Sequence, residues 1–233
     1  MALVGVLGGM GPLATVDFMH RVICLTRARC DQEHLPMIVA NLTQTPDRSR
    51  AIIDGGTDPL PALLDGVALL NRCGVDVIAI PCNSAHHWYA PLRERSAAPV
   101  LHIVDASVAA VPAGVRRVAV LATGGTLVSG FYQAALRARG FEPVMPAVAA
   151  QRDIAACIAA VKAGKIDASV RRLSRALATL ARRDVGVAVM GCTEIPLAAR
   201  ALRDAPFALI DSTQELARAT VAYAAERGWG RAV

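Results

Sequence analysis

Short apolar runs, many of them β-branched and all too brief for helices, recur at Leu3–Leu7, Met37–Ala40, Asp76–Ile80, Val100–Val104, Val118–Leu121, Gly186–Met190 and Phe207–Ile210. Amphipathic stretches of helical period lie between most of them. A strand followed by a helix must return to its sheet by a crossover, so the pattern predicts parallel sheets covered by helices rather than a sandwich. The two halves of the chain also echo one another. Val4-Gly5-Val6-Leu7-Gly8-Gly9 resembles Val118-Ala119-Val120-Leu121-Ala122-Thr123, and the run Val75 to Asn83 resembles the run Val185 to Thr193. Similarity between strands is common by chance, but here a cysteine, Cys82 or Cys192, stands in the same place after each. The predicted fold is therefore α/β: two pseudo-symmetric three-layer α/β domains with parallel-sheet cores and a cleft between them. The last helix is predicted to start at Asp211-Ser212-Thr213-Gln214-Glu215, with Ser212 and Glu215 forming a capping box, and to return to the first half. That gives an N-terminal domain of residues 1–104 plus 212–233 and a C-terminal domain of 105–211.

Composition narrows the class. Of 233 residues, 54% are hydrophobic and 19% charged, which excludes a disordered chain; with only 4% aromatics, Ala, Val and Leu must build the core. No basic segment precedes the first apolar run, and Gly8, Gly9, Gly11 and Pro12 break it, so neither a signal peptide nor a membrane span is expected and the expected compartment is the cytoplasm. Six cysteines without a CxxC pair read as free thiols rather than a disulfide framework or zinc site. The formal charge of +6 raises nucleic-acid binding, but the arginines are scattered, as from Arg171 to Arg183, without interleaved aromatics, and no nucleic-acid partner is expected. Lys162 and Lys165 are the only lysines in a chain that otherwise uses arginine, and they flank Gly164.

Three segments carry candidate chemistry. Gly8-Gly9-Met10-Gly11-Pro12-Leu13-Ala14 follows a strand and opens a helix, and Gly9, Gly11 and Ala14 satisfy G-x-G-x-x-A. A dinucleotide site also needs an acid at the end of the second strand; Met37–Ala40 ends instead at Asn41. No Gly-Lys-Ser/Thr follows, which excludes a P-loop. What remains is a glycine turn whose N–H groups suit an anion such as a carboxylate. The second segment is the cysteine pair. Cys82 precedes Asn83-Ser84 and Cys192 precedes Thr193, with Pro196 in a first helical turn, so each thiol is predicted at a helix N-terminus that lowers its pKa toward neutrality. Cys24, Cys30, Cys73 and Cys157 lack this context and are assigned to packing. The third is the loop from Asn41 to Asp58, where Arg48 offers a planar two-donor clamp and Lys162 a second cation. His20, His34, His86, His87 and His102 show no ligand spacing, and no metal is expected.

Two opposed thiols suit racemisation: one removes the α-hydrogen and the other returns a proton to the opposite face, with roles exchanged in reverse, so the pair titrates as a unit. The weakly acidic α-hydrogen demands donors aimed at the substrate carboxylate, for which Asn83, Ser84, Thr123, Thr126 and Thr193 are candidates.

Gly8-Gly9-Met10-Gly11-Pro12-Leu13-Ala14-Thr15, Pro46-Asp47-Arg48, Pro81-Cys82-Asn83-Ser84-Ala85-His86 and Gly191-Cys192-Thr193-Glu194 together resemble the aspartate/glutamate racemase family, in its aspartate racemase branch. Asp31-Gln32-Glu33-His34 and Leu121 to Thr126 extend the resemblance over nearly the whole chain. It implies no cofactor, an active site between the domains, a small-molecule amino-acid substrate and a homodimer. It also implies catalysis by Cys82 and Cys192, with substrate contacts from Met10, Gly11 and Pro12, from Arg48, from Asn83, Ser84 and Ala85, and from Lys162. Glu194, at the fourth position of the second cysteine motif, replaces the histidine of typical glutamate racemases; Ser49 and Ser84 stand where threonine is common, and Leu42-Thr43 varies a loop near the substrate. Aspartate is the expected substrate, with glutamate or other polar amino acids beside it. The competing classes are a related isomerase or decarboxylase, a nicotinamide-dependent dehydrogenase and a non-catalytic amino-acid binder. A decarboxylase needs only one cysteine to deliver a proton.

Overall fold

All but one of the apolar runs become strands of two parallel sheets in the computed structural model, which describes residues 2–229. Met1 and residues 230–233, the end of the stretch assigned to the first half, lie outside the described residues. In chain order, β1 (Val4–Gly8), α1 (Pro12–Leu25), β2 (Met37–Asn41), α2 (Arg48–Asp54), α3 (Leu60–Arg72), β3 (Val77–Ala79), α4 (Tyr89–Arg95) and α5 (Ile103–Ala109) come first. They are followed by β4 (Arg117–Ala122), α6 (Gly124–Ser129), α7 (Phe131–Ala138), β5 (Glu142–Val144), α8 (Val148–Lys162), α9 (Ile166–Ala181), β6 (Val187–Gly191), α10 (Ile195–Ala199), β7 (Ala208–Asp211) and α11 (Ser212–Glu226). Among the described residues the sheet orders are β2-β1-β3 and β5-β4-β6-β7.

The internal echo survives in this topology. β1 lies between β2 and β3 as β4 lies between β5 and β6, and each cysteine follows the equivalent third strand. The predicted strand Val100–Val104 does not form. Val100 makes one parallel bridge to Ile78, at the place β7 occupies beside β6. The chain then turns into α5, because Ile103, Val104, Ser107 and Val108 share a buried helical face. A short apolar run does not distinguish a strand from a buried helix start. α5 consequently runs through positions 104 and 105, where the domain boundary was placed. Conversely, β5 was not among the predicted strands, because Glu142-Pro143-Val144 contains no apolar run. β5 is an edge strand, where a missing N–H costs no ladder bond.

The capping box at α11 is also replaced. Asp211, not Ser212, is the cap, its carboxylate accepting from Thr213 N at 2.9 Å and Gln214 N at 3.1 Å. Ser212 is buried and donates instead to the Met190 carbonyl at 2.7 Å. α11 packs against α1 and α5.

Period-2 alternation distributes the strand side chains. Val4, Val6, Val77 and Ala79 of the first sheet and Val118, Val120, Val187 and Val189 of the second join one cluster with Phe18, Ile103, Tyr132, Leu136 and Leu216 from the helices between them. The opposite faces bury Leu7, Ile78 and Ile80 under α3 and α4, and Leu121, Ala188 and Met190 under α8 and α9. Each of the valine, leucine, isoleucine and methionine side chains among them contributes about 1.5–3 kcal/mol when fully buried. Charged pairs add cross-links: Arg21 bridges Asp17 at 2.8 Å and Asp211 at 2.5 Å, and Asp17 also meets Arg200. α2 crosses onto α6 of the other half. A Cβ on Gly125 would lie 2.8 Å from Ser49 Cα, so only glycine allows this approach.

Candidate active site

The glycine turn after β1 is closed by its own helix. Gly9 has φ of 92° and lies so close to Leu42 that a Cβ would sit 2.4 Å from that residue's carbonyl carbon. Thr15 Oγ1 accepts from Gly9 N at 2.9 Å and donates to the Gly11 carbonyl at 3.0 Å. One of the N–H groups expected to face an anion is therefore satisfied internally.

Cys82 leaves β3 buried, with its Sγ 3.6 Å from Ser84 Oγ. Its carbonyl accepts from His86 Nδ1 at 2.9 Å, while Ile103 N donates to His86 Nε2 at 3.3 Å, which fixes the ring hydrogen on Nδ1. Burial, with the neighbouring His102, pushes the His86 pKa down from 6.5 to about 4, so the imidazole is neutral and holds the cysteine loop as a hydrogen-bonding wedge. Asn83 continues the brace: its Nδ2 donates to Ser212 Oγ at 3.0 Å and its Oδ1 accepts from Tyr132 at 2.6 Å. Ser212 in turn holds the Met190 carbonyl on β6, two residues before Cys192. The two cysteine loops are thus joined by a buried polar chain, and the Asn83 side chain is largely engaged in it.

Cys192 is buried and donates to Glu194 Oε2 at 3.0 Å; Glu194 Oε1 lies 4.0 Å from Lys162 Nζ. Burial, then the Glu194 charge and its hydrogen bond, hold the Cys192 thiol well above its ordinary pKa. This reverses the expectation of a thiolate stabilised by a helix end. α10 is a single short turn whose N-cap is the acidic Glu194, and a dipole of that length does not offset burial beside a carboxylate.

Arg48 is the first residue of α2 and is buried, not solvated. Its Nη1 donates to the carbonyls of Thr45 at 3.0 Å and Pro46 at 2.8 Å, and its Nη2 to that of Met10 at 3.4 Å. The fork expected to clamp a distal carboxylate mainly clamps its own loop, leaving Nε buried without a partner. Asp47 caps α2 by accepting from Arg50 N at 2.9 Å. Burial pushes the Asp47 carboxyl up, but that N–H and the charges of Arg48 and Lys162 outweigh it and hold the pKa below the usual value.

Met10, Arg48, Cys82, Asn83, Ser84, Thr123, Thr126, Lys162, Cys192, Thr193 and Glu194 all line one cleft at the strand C-terminal ends. Thr123 caps α6, accepting from Thr126 N at 3.2 Å. Ala85 is fully buried among apolar neighbours and does not line the cleft. Gly11 and Pro12 line an adjoining cavity instead. Asp47, Ser49 and Gly191 line the cleft although the sequence assigned them no substrate contact; the N-cap type of Asp47 before α2 was the available signal for the first. Of the cysteines assigned to packing only Cys157 is buried, its thiol raised to about 11 by burial. Cys24, Cys30 and Cys73 are exposed, which corrects that assignment: Cys24 is on the outer side of α1, Cys30 is in the loop that follows it, and Cys73 is just past the end of α3. Among the described residues no helix is long and apolar enough to cross a membrane.

The profile of the Asp/Glu/hydantoin racemase family matches residues 7–220. The chain belongs to that family. It is an isomerase acting on amino acids. It is 30% identical over 223 residues to the broad-specificity amino-acid racemase RacX of Bacillus subtilis (strain 168), spanning 94% of this chain and 96% of that protein. The Picrophilus torridus aspartate racemase superposes with a TM-score of 0.84 at 27% identity, covering 97% of this chain and 95% of that one. PH1733, an aspartate racemase homologue from Pyrococcus horikoshii OT3, shares the fold with a TM-score of 0.76 at 21% identity, over 97% of this chain and 100% of that chain.

Proposed function

We propose that the chain racemises an acidic amino acid, aspartate foremost, by proton transfer at the α-carbon between Cys82 and Cys192 without a cofactor. The observation that carries this reading is that both thiols line one cleft from equivalent strand ends of two matching sheets, on loops braced against each other through Asn83 and Ser212.

In one direction Cys82, as thiolate, takes the α-proton while the bond's electron pair stays on carbon, and the Cys192 thiol delivers its proton to the opposite face. Cys82 then holds a proton and Cys192 is the thiolate, so the reverse reaction restores the starting state. The protonated, Glu194-bound Cys192 is the acid of the resting pair. Ser84, Thr123, Thr126 and Thr193 supply hydroxyl donors for the charge that builds on the α-carboxylate, and Asn83 chiefly positions the loop. The ionised Asp47 faces the α-ammonium, and Arg48 Nε with Lys162 receives the distal carboxylate.

We further infer a homodimer in the cytoplasm, with two halves as predicted except that α5 spans the junction at residues 104 and 105. The family resemblance supports the dimer. Exposed Cys24, Cys30 and Cys73, none in a disulfide, support a reducing compartment. To test the substrate assignment, L- and D-aspartate are incubated separately with the enzyme alone and followed by optical rotation. Both are expected to converge on the racemic mixture; unchanged rotation from both would overturn it.

A further inference from the structure

We infer that the cavity adjoining the cysteine cleft is a side-chain subsite for uncharged amino acids larger than aspartate, of leucine or methionine size. The inference rests on the racemase reading. The open space inside the cleft is about 20 Å³, so even aspartate needs part of its wall to give way. A cavity of about 260 Å³ lies directly against it, sharing Arg48, Lys162 and Glu194 as a common wall.

Lys162 is the movable member of that wall, since Arg48 is tied to three carbonyls and Glu194 to Cys192. Lys162 and Glu194 stand 4.0 Å apart, beyond hydrogen-bond distance, and the Lys162 side chain is 46% exposed. Arg48 presents its buried, unpartnered Nε in the same wall. Displacing Lys162 joins the two spaces without moving either cysteine loop. An amino acid whose α-carbon reaches the thiols then projects its side chain outward, past Lys162.

The far walls set the chemical class. Pro12 and Leu13 at the start of α1, with Val161 and Leu197 from the opposite half, are apolar; Thr43 is the uncharged polar neighbour. Every charged lining residue belongs to the shared wall. A short acidic side chain therefore ends at Arg48 and Lys162, whereas a longer apolar one passes them and buries its terminal carbons against Leu13 and Leu197. Two side-chain classes are served by one pair of thiols.

The test compares kcat/KM for aspartate and for methionine in the wild-type enzyme and in Leu13→Trp and Thr43→Trp. Both positions are exposed and neither belongs to the proposed catalytic machinery, so the indole fills the cavity from outside without disturbing the core. Wild-type enzyme is expected to racemise both substrates. Each variant is expected to lose about tenfold or more with methionine while keeping aspartate within about twofold, in line with the discrimination that one or more misplaced methylenes produce. Racemisation of aspartate but not methionine by the wild type, or equal loss of both substrates in the variants, overturns the subsite and leaves the racemase reading standing. No turnover or α-deuterium exchange with either substrate sinks the underlying reading as well.

Discussion

The Cys192 thiol donates a hydrogen bond to the Glu194 carboxylate across 3.0 Å, inside a cleft where both residues are buried. Ionising Cys192 there places two negative charges side by side, with Lys162 the nearest cation to Glu194. The other thiol, Cys82, faces the neutral hydroxyl of Ser84 at the same sequence spacing. Two matching halves thus hold their cysteines in unlike electrostatic settings.

Glu194→Gln keeps a hydrogen-bond acceptor beside Cys192 and removes the charge that raises the thiol's pKa. In the direction that uses Cys192 as acid, the alkaline limb of the kcat/KM profile is expected to move to lower pH. In the opposite direction, which uses it as base, the acid limb should move the same way. These are properties of the coupled pair, so profiles with both enantiomers are compared. Unmoved limbs in both would show that Glu194 does not set this thiol's titration.

For Arg48→Lys, an ammonium replaces a planar fork that reaches the carbonyls of Thr45, Pro46 and Met10 together. Leaving buried carbonyls short of donors costs about 1–3 kcal/mol, and that loss is expected in urea unfolding together with a fall in kcat/KM. Wild-type stability in the variant would place this residue's role with the substrate alone.

Much of this arrangement was legible in the sequence because it rests on strand ends. The alternation of apolar runs placed both cysteines after equivalent strands, and Gly9 and Pro12 marked the turn into α1. What escaped was set by tertiary context. Val100–Val104 holds one sheet bridge before helical packing takes Ile103 and Val104, and Pro143 is tolerated only because β5 is an edge. Asp211 displaced Ser212 as the helix cap because Ser212 is drawn to Met190 across the interior. The elevated Cys192 pKa depends on burial and on the direction of the Glu194 side chain, neither of which spacing reveals.

His86 couples stability to pH. Its folded pKa of about 4 lies below the ordinary 6.5, so below pH 6.5 the unfolded chain binds the proton first. The stabilising effect of keeping it neutral is complete above about pH 6.5 and is lost as pH falls toward about 4, on the order of 3 kcal/mol for the full shift. Urea midpoints at several pH values in that window should fall more steeply for the wild type than for His86→Gln. Parallel slopes would mean that this imidazole is not the titrating group.

Tyr132→Phe removes the hydroxyl that donates to Asn83 Oδ1 at 2.6 Å and leaves that oxygen buried without its donor. A loss of about 1–3 kcal/mol is expected in urea unfolding, and because Asn83 also binds Ser212, the effects of Tyr132→Phe and Ser212→Ala should not add. Strict additivity in the double mutant would show that the two cysteine loops are not braced as one unit.

The most direct test of the two-thiol account uses Cys82→Ser and Cys192→Ser, each incubated with L- and D-aspartate separately in deuterated water while rotation and α-deuterium are followed. Both variants should lose racemisation, each keeping at most α-exchange with one enantiomer, and the retained enantiomer should differ between them. Racemisation at the wild-type rate by either variant would contradict the account.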